Sequence, residues 1–285
     1  MLLVFDLENV ITLPKADVSG FFYKQKLTLY NLTANTTDKQ GYCAIWTELT
    51  SGRAGNDIAS AFIAILKKFV VDYPKITELI YWSDSCVPQN RNSYISQAIL
   101  QFLSNNRHMK SITLKYSITG HSCVQEVDNM HKNIEDAMQV AEFYSPLSFL
   151  RVLLKVNRKK PHRVIQLGKP DFKDYMNASK LLSFNLIPYT KVYQLKFTND
   201  DLYCIQYKTC HDDSPFQSIN VRGKHATRRN LGKPIETIAS NVSIVQARRQ
   251  LIEKVLPPKK MKALQSMLKH MPIIDRQWYQ SIGVN

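Results

Sequence analysis

The most constraining feature of this chain is how short apolar runs alternate with amphipathic windows of helical period over its first half. Leu2-Leu-Val-Phe is a buried-strand run that stops at Asp6. Phe22–Asn31 and Tyr42–Leu49 are rich in aromatic and β-branched residues. The polar stretch Thr33–Gly41 lies between them, the pattern of a hairpin. Residues 56–71 set Ile58, Phe62, Ile65, Leu66 and Phe69 at helical spacing, with Asn56 placed to cap the start and Pro74 beyond the end. Glu78–Trp82 predicts a strand leading into Ser83 and Asp84. Ile95, Ala98, Ile99, Phe102 and Leu103 mark a second helix. Ser111–Ile118 is a strand ended by Gly120, and Val127, Met130, Ile134 and Met138 line a third helix before Pro146. Helices that follow strands need a sheet face to cover, so the order predicts a mixed α/β unit.

The second half has a different grain. Arg163–Leu167, Lys191–Phe197, Leu202–Lys208 and Phe216–Val221 predict short strands of an antiparallel sheet, followed by helices over 243–256 and 259–270, separated by Pro257-Pro258. The expected division is therefore an α/β core over 1–147 and a smaller α+β region over 148–285. Charge follows the same line. The chain of 285 residues has a net charge of +15, but residues 1–150 hold 13 Lys+Arg against 14 Asp+Glu, while the rest hold 25 against 9. A near-neutral half joined to a strongly basic one points to a polyanionic partner, DNA first. The stretch from Asn220 to Lys233 concentrates the candidate phosphate contacts: Arg222, Lys224, Arg228, Arg229 and Lys233.

Other classes are excluded. No apolar run reaches the ~18 residues of a membrane span, and the opening residues lack the basic region of a secretory signal. Five cysteines with no CxxC pair fit a reducing compartment, nuclear or cytoplasmic, better than a disulfide framework.

The acids carry the chemistry. Asp6 and Asp84 each follow a buried strand, and in a parallel arrangement those strand ends are neighbours. Asp57 opens the first helix and Asp128 the third. Four carboxylates from separate elements would repel unless cations neutralise them, and an oxygen-only donor set selects Mg²⁺ or Mn²⁺. Two such ions would clamp the attacking and leaving oxygens of a phosphoryl displacement. Asp57 and Asp128 also stand where an acid simply caps a helix. Gln89, Asn90, Arg91 and Asn92 could hold a phosphate or cap the following turn. His131 and Glu135 lie one helical turn apart, but no Cys or second His joins them at zinc spacing.

This pattern resembles the ribonuclease H-like superfamily, which includes DDE/D transposases and retroviral integrases. The superfamily has an acid on the first strand, then a hairpin, an acid on the first helix in some branches, an acid after the fourth strand and one on a late helix. Gly120-His121-Ser122, just before Asp128, is similar to the Gly-His loop ahead of the last acid in ribonuclease H. FDLENVITLPK, WTELTSGRAGNDIASAF, YWSDSCVPQNRN, GHSCVQEVDNMHKNIE and RRQLIEKVLPPKKMKAL together resemble a transposon-derived family expanded in invertebrate genomes. Asp57 departs from that family's Glu, and Val87-Pro88 from its small Gly-containing pair. The resemblance implies a ribonuclease H-like mixed sheet flanked by helices. It also implies a nuclease or strand transferase acting on DNA. In that enzyme Asp6 and Asp84 bridge the metals, Asp128 completes one site, and Asp57 and His121 assist. Glu135, two turns beyond Asp128 on one helix face, competes with it as third acid; the Gly-His-Ser segment and the helix N-terminus favour Asp128. A non-catalytic, transposase-derived nucleic-acid-binding protein is the alternative. LVFDLENVIT also looks like the opening motif of haloacid dehalogenase phosphatases, with Glu8 in place of the second Asp, but the rest of the chain lacks that family's order.

Overall fold

The computed structural model describes residues 1–118, 125–222, 244, 246–251 and 254–284. These residues form a mixed α/β protein with a ten-strand mixed sheet and seven α-helices. No helix among them is long and apolar enough to cross a membrane, and Cys43, Cys204 and Cys210 are free thiols. The chain divides into two compact units that interleave in sequence: Met1–Val4, Ala54–Val124 and Pro170–Gln250 in one, Phe5–Arg53, Gln125–Lys169 and Leu251–Asn285 in the other.

In the first unit, the N-terminal part of β1 (Leu2–Leu7) runs parallel to β5 (Glu78–Ser83), pairing Leu2 with Ile80 and Val4 with Trp82. β6 (Ser111–Tyr116) continues in parallel beside β5. Then β8 (Gln194–Thr198), β9 (Cys204–Lys208) and β10 (Gln217–Asn220) follow, each antiparallel to its neighbour. Helix α1 (Gly55–Asp72) buries Ile58, Phe62, Ile65, Leu66 and Phe69, the stripe its spacing predicted, and the Phe62 ring meets Tyr81 edge-on at 4.6 Å. Its start differs from expectation. Ala54 is the N-cap residue, and the Asp57 carboxylate accepts the Ala54 N–H at 3.0 Å. The Asn56 amide is instead spent on the Lys173 carbonyl and the Met176 N–H. Helix α2 (Ser93–Asn105) is capped by Asn92, whose Oδ1 accepts from Tyr94 and Ile95 N–H while its Nδ2 donates to loop carbonyls. Helix α5 (Tyr175–Ser179) packs against α2. The helix expected over 243–256 is not formed by residues 246–251. Their backbone bonds to residues 172–174, with Gln250 N–H on Phe172 O and Arg248 O accepting from Asp174, which satisfies the chain without helical bonds.

In the second unit, the C-terminal part of β1 lies beside β3 (Leu27–Thr36), which also carries the short antiparallel β2 (Ile11–Leu13). β3 and β4 (Gly41–Thr47) form the expected hairpin, in register from Leu29 opposite Thr47 to Asn35 opposite Gly41. The first arm starts later than predicted. Phe22 and Tyr23 are 77% and 94% exposed after a 3-10 turn at Ser19–Phe21, and in–out alternation begins only at Leu27. β7 (Arg163–Gln166) corrects a second expectation: it pairs in parallel with β4 and does not join the antiparallel β8–β10 run. Helices α3 (Gln125–Val140), α4 (Pro146–Val156), α6 (Pro258–Met267) and α7 (Ile273–Ser281) complete the unit. Met130 and Ile134 of α3, Phe149 and Leu153 of α4, Leu264 and Met267 of α6, and Tyr279 of α7 share one core with Leu27, Leu29, Cys43 and Ile45. Burying each such side chain contributes about 1.5–3 kcal/mol, so this core fixes α3 against the strands.

Candidate metal centre

The second unit gathers three chemically apt side chains. Asp6 stands near the end of β1. Asp128 and His131 stand three residues apart on α3, hence on one helix face. A carboxylate oxygen from each Asp and an imidazole nitrogen of His131 all lie within 4.8 Å of one another. Thr33 of β3 ties them together. Its hydroxyl donates to the Asp6 carbonyl at 3.1 Å and is hydrogen-bonded to His131 Nε2. If Thr33 gives its single proton to the Asp6 carbonyl, Nε2 donates in the second bond and a neutral ring keeps its lone pair on Nδ1. That is how an outer partner orients a ligating histidine. Burial depresses the His131 pKa, against the opposing pull of Asp128 and Glu135, which favours the neutral ring. Leu7 N–H donates to Asp6 Oδ1 at 2.8 Å, holding that carboxylate at the strand end.

A second acidic feature lies in the same unit. Glu8 is 4% exposed. Its Oε2 accepts from Asn31 Nδ2 at 2.6 Å, and its Oε1 has no partner among the described residues. Burial pushes the Glu8 carboxyl up to about 7; the Asn31 bond offsets part of this, and the charge of Glu135 adds to it. Glu8 and Glu135 line a cleft of about 320 Å³ together with Lys15, Met138 and Phe143. Glu135 is exposed, takes a weak bond from Asn9 at 3.5 Å and is not one of the three clustered groups.

The other expected site residues are placed as follows. Asp84 belongs to the first unit, where its Oδ1 accepts from Cys86 N–H and from the Asn90 amide. Asp57, also in the first unit, is buried at the start of α1. Asn92 and Arg91 serve structure: the first caps α2, and the second donates to the Val192 carbonyl at 2.8 Å. The Arg222 guanidinium lies over the Tyr203 ring at 4.9 Å. His121, Lys224, Arg228, Arg229 and Lys233 lie outside the described residues.

The sequence alone assigns neither His131 nor Glu8 to the acidic site. The first is legible as the i+3 partner of Asp128, but beside Glu135 it reads only as an incomplete zinc set. The second sits two residues after Asp6, but nothing local signals its burial. Comparison of the chain with family models, curated proteins and solved structures gave no match.

Proposed function

We propose that the chain is a metal-dependent nuclease or strand transferase of the ribonuclease H-like, DDE/D transposase type, acting on DNA phosphodiesters. The observation that carries this reading is the approach of Asp6, Asp128 and His131 to within 4.8 Å from two separate elements. The succession of strand, hairpin, helix, parallel strand, helix, parallel strand and acid-bearing helix supports the fold that the resemblance implies. The excess of 25 Lys+Arg over 9 Asp+Glu beyond residue 150 supports a polyanionic substrate.

Asp6, Asp128 and His131 would hold a divalent cation. Two carboxylates suit Mg²⁺ or Mn²⁺, and the imidazole tilts the set toward Mn²⁺. A bound cation of this kind supplies Lewis acidity toward phosphoryl oxygens. Thr33 orients His131. Glu8 holds or releases a proton close to neutral pH, which suits a carboxylate beside a reaction that needs a proton moved.

The test is thermal unfolding and plasmid cleavage with and without Mn²⁺, for the parent, Asp128→Asn and His131→Gln. Metal that binds only the native state stabilises by about 2.7 kcal/mol at a hundredfold excess over Kd. The parent should gain this and cleave, and both variants should lose most of the gain and the cleavage. Stabilisation without turnover in the folded parent would favour the non-catalytic, DNA-binding alternative. Equal Mn²⁺ shifts in parent and variants would overturn the site.

A further inference from the structure

Between Glu142 and Asp171 the chain carries seven Lys and Arg and no Asp or Glu. All seven cations belong to the second unit. Helix α4 turns Phe149, Val152 and Leu153 into the core. At 100° per residue, Arg151 and Lys155 then stand on its outer side, one turn apart, and both are exposed. Arg158 and Lys159 follow the C-cap residue Asn157 and are exposed as well.

The loop that carries the second pair is held in place. Asn157 Oδ1 accepts the Lys160 N–H at 3.0 Å, and the Gln40 amide donates to the Pro161 carbonyl at 3.0 Å. Lys160 Nζ meets the Asp38 carboxylate at 2.9 Å. One cation of the run is thus neutralised where it anchors the loop. Arg151, Lys155, Arg158 and Lys159 have no ion pair among the described residues. A helix C-terminus favours nearby cations, which accounts for Lys155 and Arg158 but not for Arg151 or Lys159.

Four acids adjoin this surface. Asp38 forms the ion pair, Glu142 and Asp275 share a cleft lining with Arg151 and Lys155, and Glu126 shares one with Asn157. Glu142 accepts from the Asp17 N–H and the Tyr144 hydroxyl, and the buried Asp275 accepts from the Ser145 hydroxyl. Set against the run and Lys39, which lines the cleft of Glu126, these acids leave an excess of four positive charges.

We propose that the outer face of α4 and the loop 157–159 bind the phosphate backbone of duplex DNA without reading its sequence, through Arg151, Lys155, Arg158 and Lys159. This rests on the reading of the chain as a DNA-acting protein, and it adds where the second unit holds the duplex. From Arg151 to Val156 the helix rises ~7.5 Å, a length over which duplex DNA carries about four phosphate charges. The chemistry of the face favours a backbone over bases. The aromatic rings within the run, Phe149 and His162, are buried, so no ring is offered for an unpaired base to stack on. The same lack of an exposed Trp, Tyr or Phe disfavours a membrane surface.

The experiment is fluorescence anisotropy of two labelled 20-base-pair duplexes of unrelated sequence, titrated with the full chain in EDTA over a range of salt. The paired changes Arg151→Ala with Lys155→Ala, and Arg158→Ala with Lys159→Ala, are compared with Lys67→Ala with Lys75→Ala, which removes equal charge from exposed positions in the first unit. Each pair on the α4 surface should raise Kd about tenfold or more at 0.1 M salt for both duplexes, since two lost phosphate contacts remove about 1.8 from the log–log slope. The Lys67 and Lys75 pair should change Kd less than threefold, and Asp128→Asn should bind as the parent does, so the metal site and this surface fail separately. If the parent binds duplex DNA and both α4-surface pairs bind like the Lys67 and Lys75 pair, this proposal is overturned while the DNA reading stands. If the folded parent binds no duplex at all, both fall. Tighter binding of a single-stranded 20-mer, lost in the surface variants, would overturn the duplex as partner. Binding to phosphatidylserine vesicles that the surface variants lose while keeping the duplex would overturn it in favour of a membrane.

Discussion

Replacing Glu8 by Gln should stabilise the protein at pH 8 and leave it almost unchanged near pH 4.5. The side chain is 4% exposed and among the described residues has a single hydrogen-bond partner, Asn31 Nδ2, which a Gln carbonyl oxygen can keep. Burial and the nearby Glu135 hold the folded carboxyl at about 7, against 4.5 ordinarily. Below pH 4.5 the acid is protonated in both folded and unfolded chains and costs nothing. Between 4.5 and 7 the unfolded chain ionises first, so it binds fewer protons than the folded one, and stability falls as pH rises. Above 7 the loss is complete. The gap between the two pKa values corresponds to roughly 3 kcal/mol at about 1.4 kcal/mol per pH unit. Urea unfolding of parent and Glu8→Gln at pH 5 and pH 8, with divalent cations chelated, isolates this group, because every other titrating residue is common to both proteins. The variant should exceed the parent by up to about 3 kcal/mol at pH 8, and by less than about 1 kcal/mol at pH 5. A difference independent of pH, or a variant less stable than the parent at pH 8, would refute the reasoning.

Two further outcomes follow from other parts of the chain. Asn92→Ala removes the acceptor for Tyr94 and Ile95 N–H at the start of α2, together with the amide bonds to the preceding loop, and should cost about 1–2 kcal/mol in thermal unfolding. Duplex DNA binding should weaken with salt at a log–log slope of about −0.9 per phosphate neutralised. The paired change Arg228→Ala and Arg229→Ala should flatten that slope by roughly one to two, and a flat dependence in the parent would remove DNA as the partner.

Local pattern carried a large part of the fold. The stripe Ile58, Phe62, Ile65, Leu66 and Phe69 specifies α1 because a 3.6-residue period places all five on one face, and the strands before and after it announce themselves as apolar runs of strand length. Asp128 and His131 were legible as helix neighbours for the same reason. What joins them to Asp6 was not, because the connection runs through Thr33, 98 residues before His131, and depends on β3 lying against both β1 and α3. The parallel pairing of β7 with β4, the extended course of 246–251 and the late start of β3 were likewise decided by which surfaces met. So was Glu8: its two-residue spacing from Asp6 is visible in the sequence, but its raised pKa arises from the core that closes over it and from Glu135 on a distant helix. Sequence period encodes interactions among residues a few positions apart, so it specifies elements and their faces. Register between remote strands and the solvation of a single carboxylate are set by burial summed over the whole unit, and they exist only once the chain has packed.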